Sequence, residues 1–211
     1  GVTGSGLIQS QTGAINIAAI GTASGNGVHL LGGHIQSAST NAGAQDIKIT
    51  GNSSGAGRGI SLSSGSNISA AAANIILNGN SASGNDIGSG AGYNGTVGHS
   101  AMTGDITVNA NTIDFADAQV QTTGDIYITP RTAGTSIGLG GAAGTLNLDD
   151  TELAAFDAGG KLVIGSHSTS HDGAIDSWNL GGTAYDVELL VDDIDVNGLT
   201  LGAGDITLNA Q

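Results

Sequence analysis

The residues able to do chemistry are few and fall in short stretches. Paired acids stand at Asp149-Asp150 and Asp192-Asp193, with Gly98-His99-Ser100 upstream. Two carboxylates held about 5–9 Å apart across a cleft hydrolyse glycosidic bonds, so these pairs raise a polysaccharide-cleaving enzyme as one reading. In "HSTSHD", His167 and His171 stand four apart beside Asp172. On a helix that spacing would aim both imidazoles at one metal, but the stretch is rich in Ser and Thr, has no helix signal and reads as an exposed loop. His29 and His34 flank "LLGG" and read as surface positions. "SASGNDIGSGAG" (81–92) shares Gly84-Asn85-Asp86 with a calcium-binding nonapeptide repeat, yet one aspartate cannot supply the roughly six to eight oxygens that calcium takes. "GAGYNG" (90–95) fits GxGxxG formally, without the preceding strand and following helix of a dinucleotide site.

Composition weighs against each of these chemistries. Lys and Arg number 4 against 18 acids, for a net charge of −14. Nucleic acid is disfavoured as a partner, because binding by counterion release needs a basic surface. An acidic polysaccharide would need cations near the acid pairs, and Lys48 and Arg58 lie far from them in sequence. Aromatics are 3% of the chain, so platforms for sugar rings reduce to Tyr93, Tyr127, Tyr185, Trp178, Phe115 and Phe156. Cysteine is absent, which removes disulfides and thiolate metal sites. No apolar run reaches the length of a membrane span, so no membrane insertion is expected. The sequence therefore reads as non-enzymatic, with no catalytic, cofactor or metal residue to assign. Weak calcium association with the acidic half is the one cation expected.

That acidity is lopsided. Residues 1–103 carry Asp46 and Asp86 against Lys48 and Arg58, while residues 104–211 carry the other 16 acids against Arg131 and Lys161. The glycine count of 38, without an every-third-residue period, excludes collagen. A hydrophobic content of 38% in small and branched side chains is too high for a disordered linker. It suits a narrow, regular β core.

The elements that must position any site are repeats. An alternating strand opened by a branched apolar residue recurs at Ile15, Ile47, Ile75, Ile106, Ile126, Leu146, Leu162, Val187 and Ile206, three of the copies reading "GDITVNA", "GDIYITP" and "GDITLNA". Each unit holds two or three strands of period-2 alternation between Gly, Ser, Asn or Asp turns. "ITV", "IDF" and "VQT" within 106–122 would trace three sides of one coil, and stacking such coils in parallel at about 4.8 Å buries columns of Ile, Val and Leu. The fold class predicted is all-β: a right-handed parallel β-helix (β-solenoid) of about eight to nine rungs. Residues 1–211 form one segment, with longer, near-neutral rungs over 1–103 and shorter, acidic ones over 104–211. "DDTELAAF" (149–156) is the one helix candidate, a single turn. An ice-binding solenoid would need ranks of T-x-T, which are missing.

"DIKITGNSSGAGRGISLSSGSNISAAAANIILNGNSASG" (46–84) resembles the repeat region of filamentous haemagglutinin-like exoproteins of two-partner secretion systems. "GTLNLDDTELAAFDAGGKLVIGS" (144–166) and "LTLGAGDITLNA" (199–210) are similar to the same class of large bacterial surface proteins. The resemblance implies a secreted or cell-surface adhesin and virulence factor, exported by an outer-membrane secretion partner. Its role would be attachment to a host receptor, to other bacteria or to biofilm polysaccharide. The family's amino-terminal "NPNG"-type secretion motifs are not seen, so the chain reads as an interior segment.

Register expectations follow. Residues 106, 126, 146, 162 and 206 should share one inward column. Thr50, Asn78, Asn109, Thr129 and Asn209 should form a polar ladder. Asp105 and Asp125 should stand on one edge, held by their own turns or recruiting cations. Any ligand should meet loops 80–103 or 165–180, where Trp178 reads as a packed cover.

Overall fold

In a computed structural model, residues 1–41, 45–63, 65–89, 94–181 and 183–210 are described. Period-2 alternation makes every short segment a strand with one apolar face. With almost no large side chains to fill a wide interior, those faces close on a narrow core. Among the described residues the strands form sheets of eight, six, five and four, and every pairing is parallel. Ile106–Asn109, Ile113–Asp114 and Gln119–Thr122 enter the eight-, five- and six-stranded sheets in turn, and Ile126–Thr129 then rejoins the first sheet beside Ile106–Asn109. Stacked parallel sheets visited in rotation are consistent with a β-solenoid.

Register is like upon like. Ile15, Ile47, Ile75, Ile106, Ile126, Leu162, Val187 and Ile206 are successive partners in the eight-stranded sheet. In the six-stranded sheet the column runs Ile8, Ile35, Ile68, Val97, Val120, Phe156. Five consecutive members of the first column, Ile47 to Leu162, have no exposed surface.

Leu146 does not belong to that column. Leu146–Leu148 pairs with Ile137–Gly140 in the four-stranded sheet, Leu146 opposite Ile137. The chain passes through Ile137–Gly140, doubles back over 141–145, and lays Leu146–Leu148 against Ile113–Asp114. The "LNL" pattern misleads because apolar-polar-apolar alternation is the same on every face of the coil. The pass from Ile126 to Leu162 is therefore one stretch of 36 residues.

The polar ladder forms over its first three members. Asn78 Nδ2 donates to Thr50 Oγ1 (3.3 Å), and Asn109 Nδ2 donates to Asn78 Oδ1 (2.8 Å). Thr129 is in register with Asn109, but Asn209 lies opposite Leu190, so the ladder does not reach it.

The repeated Gly-Asp has a different structural reason from the turn-internal bond expected. Asn74 Oδ1 accepts the Asp105 N–H, Asp105 Oδ1 the Asp125 N–H, and Asp125 Oδ1 the Lys161 N–H, each at 2.9 Å. Asp186 Oδ1 accepts the Asp205 N–H in the same way. Each side chain thus satisfies a backbone donor of the next pass. The preceding glycine lets that pass come close: a Cβ on Gly124 would fall 2.6 Å from Asp105 Oδ1, and one on Gly160 2.1 Å from Asp125 Oδ1.

Two outcomes test this register. Ile126→Ala should cost about 2–5 kcal/mol in a denaturant melt, whereas the outward Thr107→Ala should stay within about 0.5 kcal/mol. Asp125→Ala should cost about 1–3 kcal/mol by orphaning the Lys161 N–H. Asp125→Asn keeps the acceptor oxygen and should recover most of that loss; equal losses in the two variants would assign Asp125 a purely electrostatic role.

Candidate functional site

Most of the chemistry-bearing residues are committed to holding the chain. Asp149 is the N-cap of the one-turn helix Asp150–Leu153; its Oδ1 accepts the Thr151 and Glu152 N–H groups at 2.8 and 3.0 Å. Glu152 returns the bond, its Oε2 accepting the Asp149 N–H at 3.2 Å, which completes a capping box. At the other acid pair, Asp192 accepts a hydrogen bond from Ser170 Oγ, and Asp193 opens a strand opposite Asp172. The two pairs have separate structural partners.

His171 corrects the exposed-loop reading of "HSTSHD". It is 1% exposed, with Nδ1 3.1 Å from the Thr135 carbonyl oxygen and Nε2 2.6 Å from Thr169 Oγ1. His167 lies four residues earlier, in the turn after Lys161–Gly165, without sharing those partners, and Asp172 is exposed at the start of Asp172–Asn179. Among the described residues, no three His, Asp or Glu side chains are grouped to hold a metal. His34 is exposed as expected, and His29 is half-buried with Nε2 3.3 Å from Ser63 Oγ. Asp86, the candidate calcium aspartate, is buried and spends its oxygens on the Ser81 and Asn111 N–H groups at 2.6 and 2.7 Å. Residues 90–93, the heart of "GAGYNG", with Tyr93 among them, lie outside the described residues. Arg58 pairs with Asp114 (3.0 Å) across the bare backbone of Gly88.

What remains is a cavity where the stacking changes. The six-stranded sheet ends at Phe156–Ala158, while the eight-stranded sheet continues through Asp186–Val191 and Ile206–Ala210. Among the described residues no strand pairs with the far side of Phe156–Ala158; the end of the long strand Asp172–Asn179, paired in the four-stranded sheet, lines the space beyond it. Ser177 (φ 55°), with Gly198 (φ 101°) beside it, interrupts the pairing between Asp176–Asn197 and Trp178–Leu199. Left-handed backbone at a non-glycine residue is uncommon, and here it brings Trp178 into the core at 2% exposure.

A cavity of about 540 Å³ opens between these layers. Its apolar floor is Phe156, Trp178, Leu180 and Tyr185, all buried; its rim carries Gln121, Asp150, Asp157 and Asn179. Phe156 packs edge-on against Phe115 (centroids 5.9 Å, 65°). The Tyr185 hydroxyl donates to the Phe156 carbonyl (3.1 Å), and burial, then the charge of Asp157, pushes its pKa up to about 12. Below the floor, burial pushes Glu152 up to about 7; the N–H bond from Asp149 opposes this, and the Asp149 charge adds to it. The two segments expected as loops are partly strands: 80–103 holds Ile87–Gly88 and Thr96–Gly98, and 165–180 holds Asp172–Asn179, in which Trp178 is buried, as its reading as a packed cover expects. Tyr185 follows in the same pass, whereas Gln121 and Asp157 come from earlier passes, and no local signal in the sequence joins them to Trp178.

Comparison with protein-family models, with curated proteins and with solved structures finds no match for this chain.

The Glu152 shift has a definite sign. Its folded pKa, about 7, lies above the ordinary glutamate value of 4.5, so the fold binds a proton that the unfolded chain releases between these values. This contribution to stability is complete below pH 4.5, falls as pH rises, and levels off above about 7. Glu152→Gln keeps a capping-box acceptor without the titration. Its melting temperature minus the parent's should therefore rise by a few degrees across that window and then stay flat; a difference independent of pH would show Glu152 ionised at no cost.

Proposed function

We propose that this chain is a non-enzymatic rod segment of a secreted or cell-surface bacterial adhesin, wound as a right-handed coil of eight to nine rungs. It mediates attachment to host cells, other bacteria or biofilm polysaccharide, or spaces the parts that do. The observation that carries the reading is the uninterrupted like-on-like column from Ile15 to Ile206. A column of eight parallel strands extends roughly 35–40 Å along one axis, and length per residue is what an attachment rod requires. The likeness of 46–84 to haemagglutinin-type exoprotein repeats supports a surface location and export through an outer-membrane partner. The structural employment of Asp149 and Asp192 supports a role other than catalysis. Among the described residues, no helix is long and apolar enough to cross a membrane.

Beads coated with the protein should adhere to at least one of three surfaces: a host-cell monolayer, a bacterial lawn or a biofilm matrix. Adhesion no better than that of albumin-coated beads on all three would remove the attaching role and leave only spacing. Release of reducing ends from a neutral or acidic glycan, lost in Asp192→Asn, would overturn the non-enzymatic reading altogether.

A further inference from the structure

We propose that the cavity over Phe156 and Trp178 is a binding site for a neutral saccharide, a mono- or disaccharide unit at the end or branch of a larger glycan. The site deepens the attachment reading and rests on it for its biological role, while its chemistry stands on the residues themselves.

Position comes first. The cavity occupies the place where the six-stranded sheet would add its next strand beyond Phe156–Ala158. An unpaired strand edge invites a peptide to extend the sheet. Here the Tyr185 hydroxyl already holds the Phe156 carbonyl at 3.1 Å, which blocks that edge against an incoming strand. The cavity must be read by its side chains instead.

Those side chains select by charge and by geometry. No Lys or Arg lines the cavity, and Asp150 and Asp157 stand on its rim, so anionic ligands are repelled. Gln121 Nε2 donates to Asp157 Oδ2 at 2.5 Å. That bond fixes both planar groups and leaves Gln121 Oε1 and Asp157 Oδ1 to accept from neighbouring hydroxyls. Asn179 Oδ1 accepts the Gly181 N–H at 2.8 Å, which leaves its Nδ2 as a donor. Fixed planar acceptors beside an amide donor, over an apolar floor, match adjacent ring hydroxyls above the C–H face of a sugar. The volume of about 540 Å³ lies within the roughly 300–1,000 Å³ of small-molecule pockets. The floor is buried and held from two successive passes of the chain, so little ordering is needed on binding.

Trp178 is the single tryptophan, and its indole reports on the site. Glucose, galactose, mannose, N-acetylglucosamine, lactose, maltose and cellobiose are each titrated to roughly 100 mM, about a hundredfold above a millimolar dissociation constant. Glucuronate and glucosamine serve as anionic and cationic comparators. At least one neutral sugar should shift Trp178 emission saturably, and glucuronate should not. Asp157→Ala and Gln121→Ala should each weaken the response by about tenfold or more with the thermal melt retained, and His34→Ala should leave it unchanged. No saturable response to any neutral sugar, a response to glucosamine alone, or one that persists in both cavity variants would overturn the proposal. A silent titration from protein whose beads still adhere would sink this site and leave the attachment reading standing. A saturating titration with non-adherent beads would support the site and count against attachment.

Discussion

Parallel backbone pairing from one pass to the next is the constraint on which everything else rests. In a parallel ladder the strands lie about 4.8 Å apart and side chains alternate between faces with period 2. A shift by one residue would turn every inward Ile outward. Each pass must therefore repeat the polarity of the one below, and the column Ile47–Ile75–Ile106–Ile126–Leu162 is the result. The scarcity of aromatics follows from the same constraint. A narrow interior stacked at a fixed spacing takes branched aliphatics on every level and has room for rings only where the stacking changes.

Corners are the weak points of such a stack, because the chain must turn there without leaving buried N–H groups unpaired. Gly-Asp resolves this with two residues. The carboxylate of Asp105 or Asp125 accepts the N–H of the next pass, and the glycine of that next pass makes room for the carboxylate oxygen. Asn74 does the same work one pass earlier. At least four of the 16 acids in residues 104–211 therefore have structural employment: Asp105, Asp125, Asp149 and Asp186 each accept backbone donors. Surface charge accompanies that role.

The cavity arises where the constraint is relaxed. The doubling back from Ile137–Gly140 to Leu146–Leu148 inserts an extra strand, and the capped helical turn Asp150–Leu153 carries the chain across to Phe156. Beyond the last strand of the six-stranded sheet lies the cavity, bordered by the bent end of Asp172–Asn179 in place of a regular strand. Phe115, Phe156, Trp178 and Tyr185 gather around this irregular level. The chain's largest side chains fill the mismatch, and the part left unfilled is the pocket.

The sequence by itself determined the strand-built class, the parallel stacking and the identity of most columns. Local alternation and turn chemistry recur too regularly for another architecture, and "DDTELAAF" (149–156) was legible as a candidate single helical turn, which the structure places at Asp150–Leu153. Alternation alone does not say which face a strand joins, since the pattern is the same on all of them. Leu146 was misplaced for that reason; Asn209 sits on the expected face, but its neighbour in the ladder is Leu190, which offers no polar partner. His171 read as a loop residue because its burial depends on Thr135, 36 residues away. The site was the least legible part. Trp178 stood out as the only tryptophan, but Gln121 and Asp157, from earlier passes, come to line one cavity with it only after the layers stack out of regular order. Tertiary structure decided that, because the meeting of residues from separate passes depends on the coil's local departure from its repeat, and no single strand carries that information.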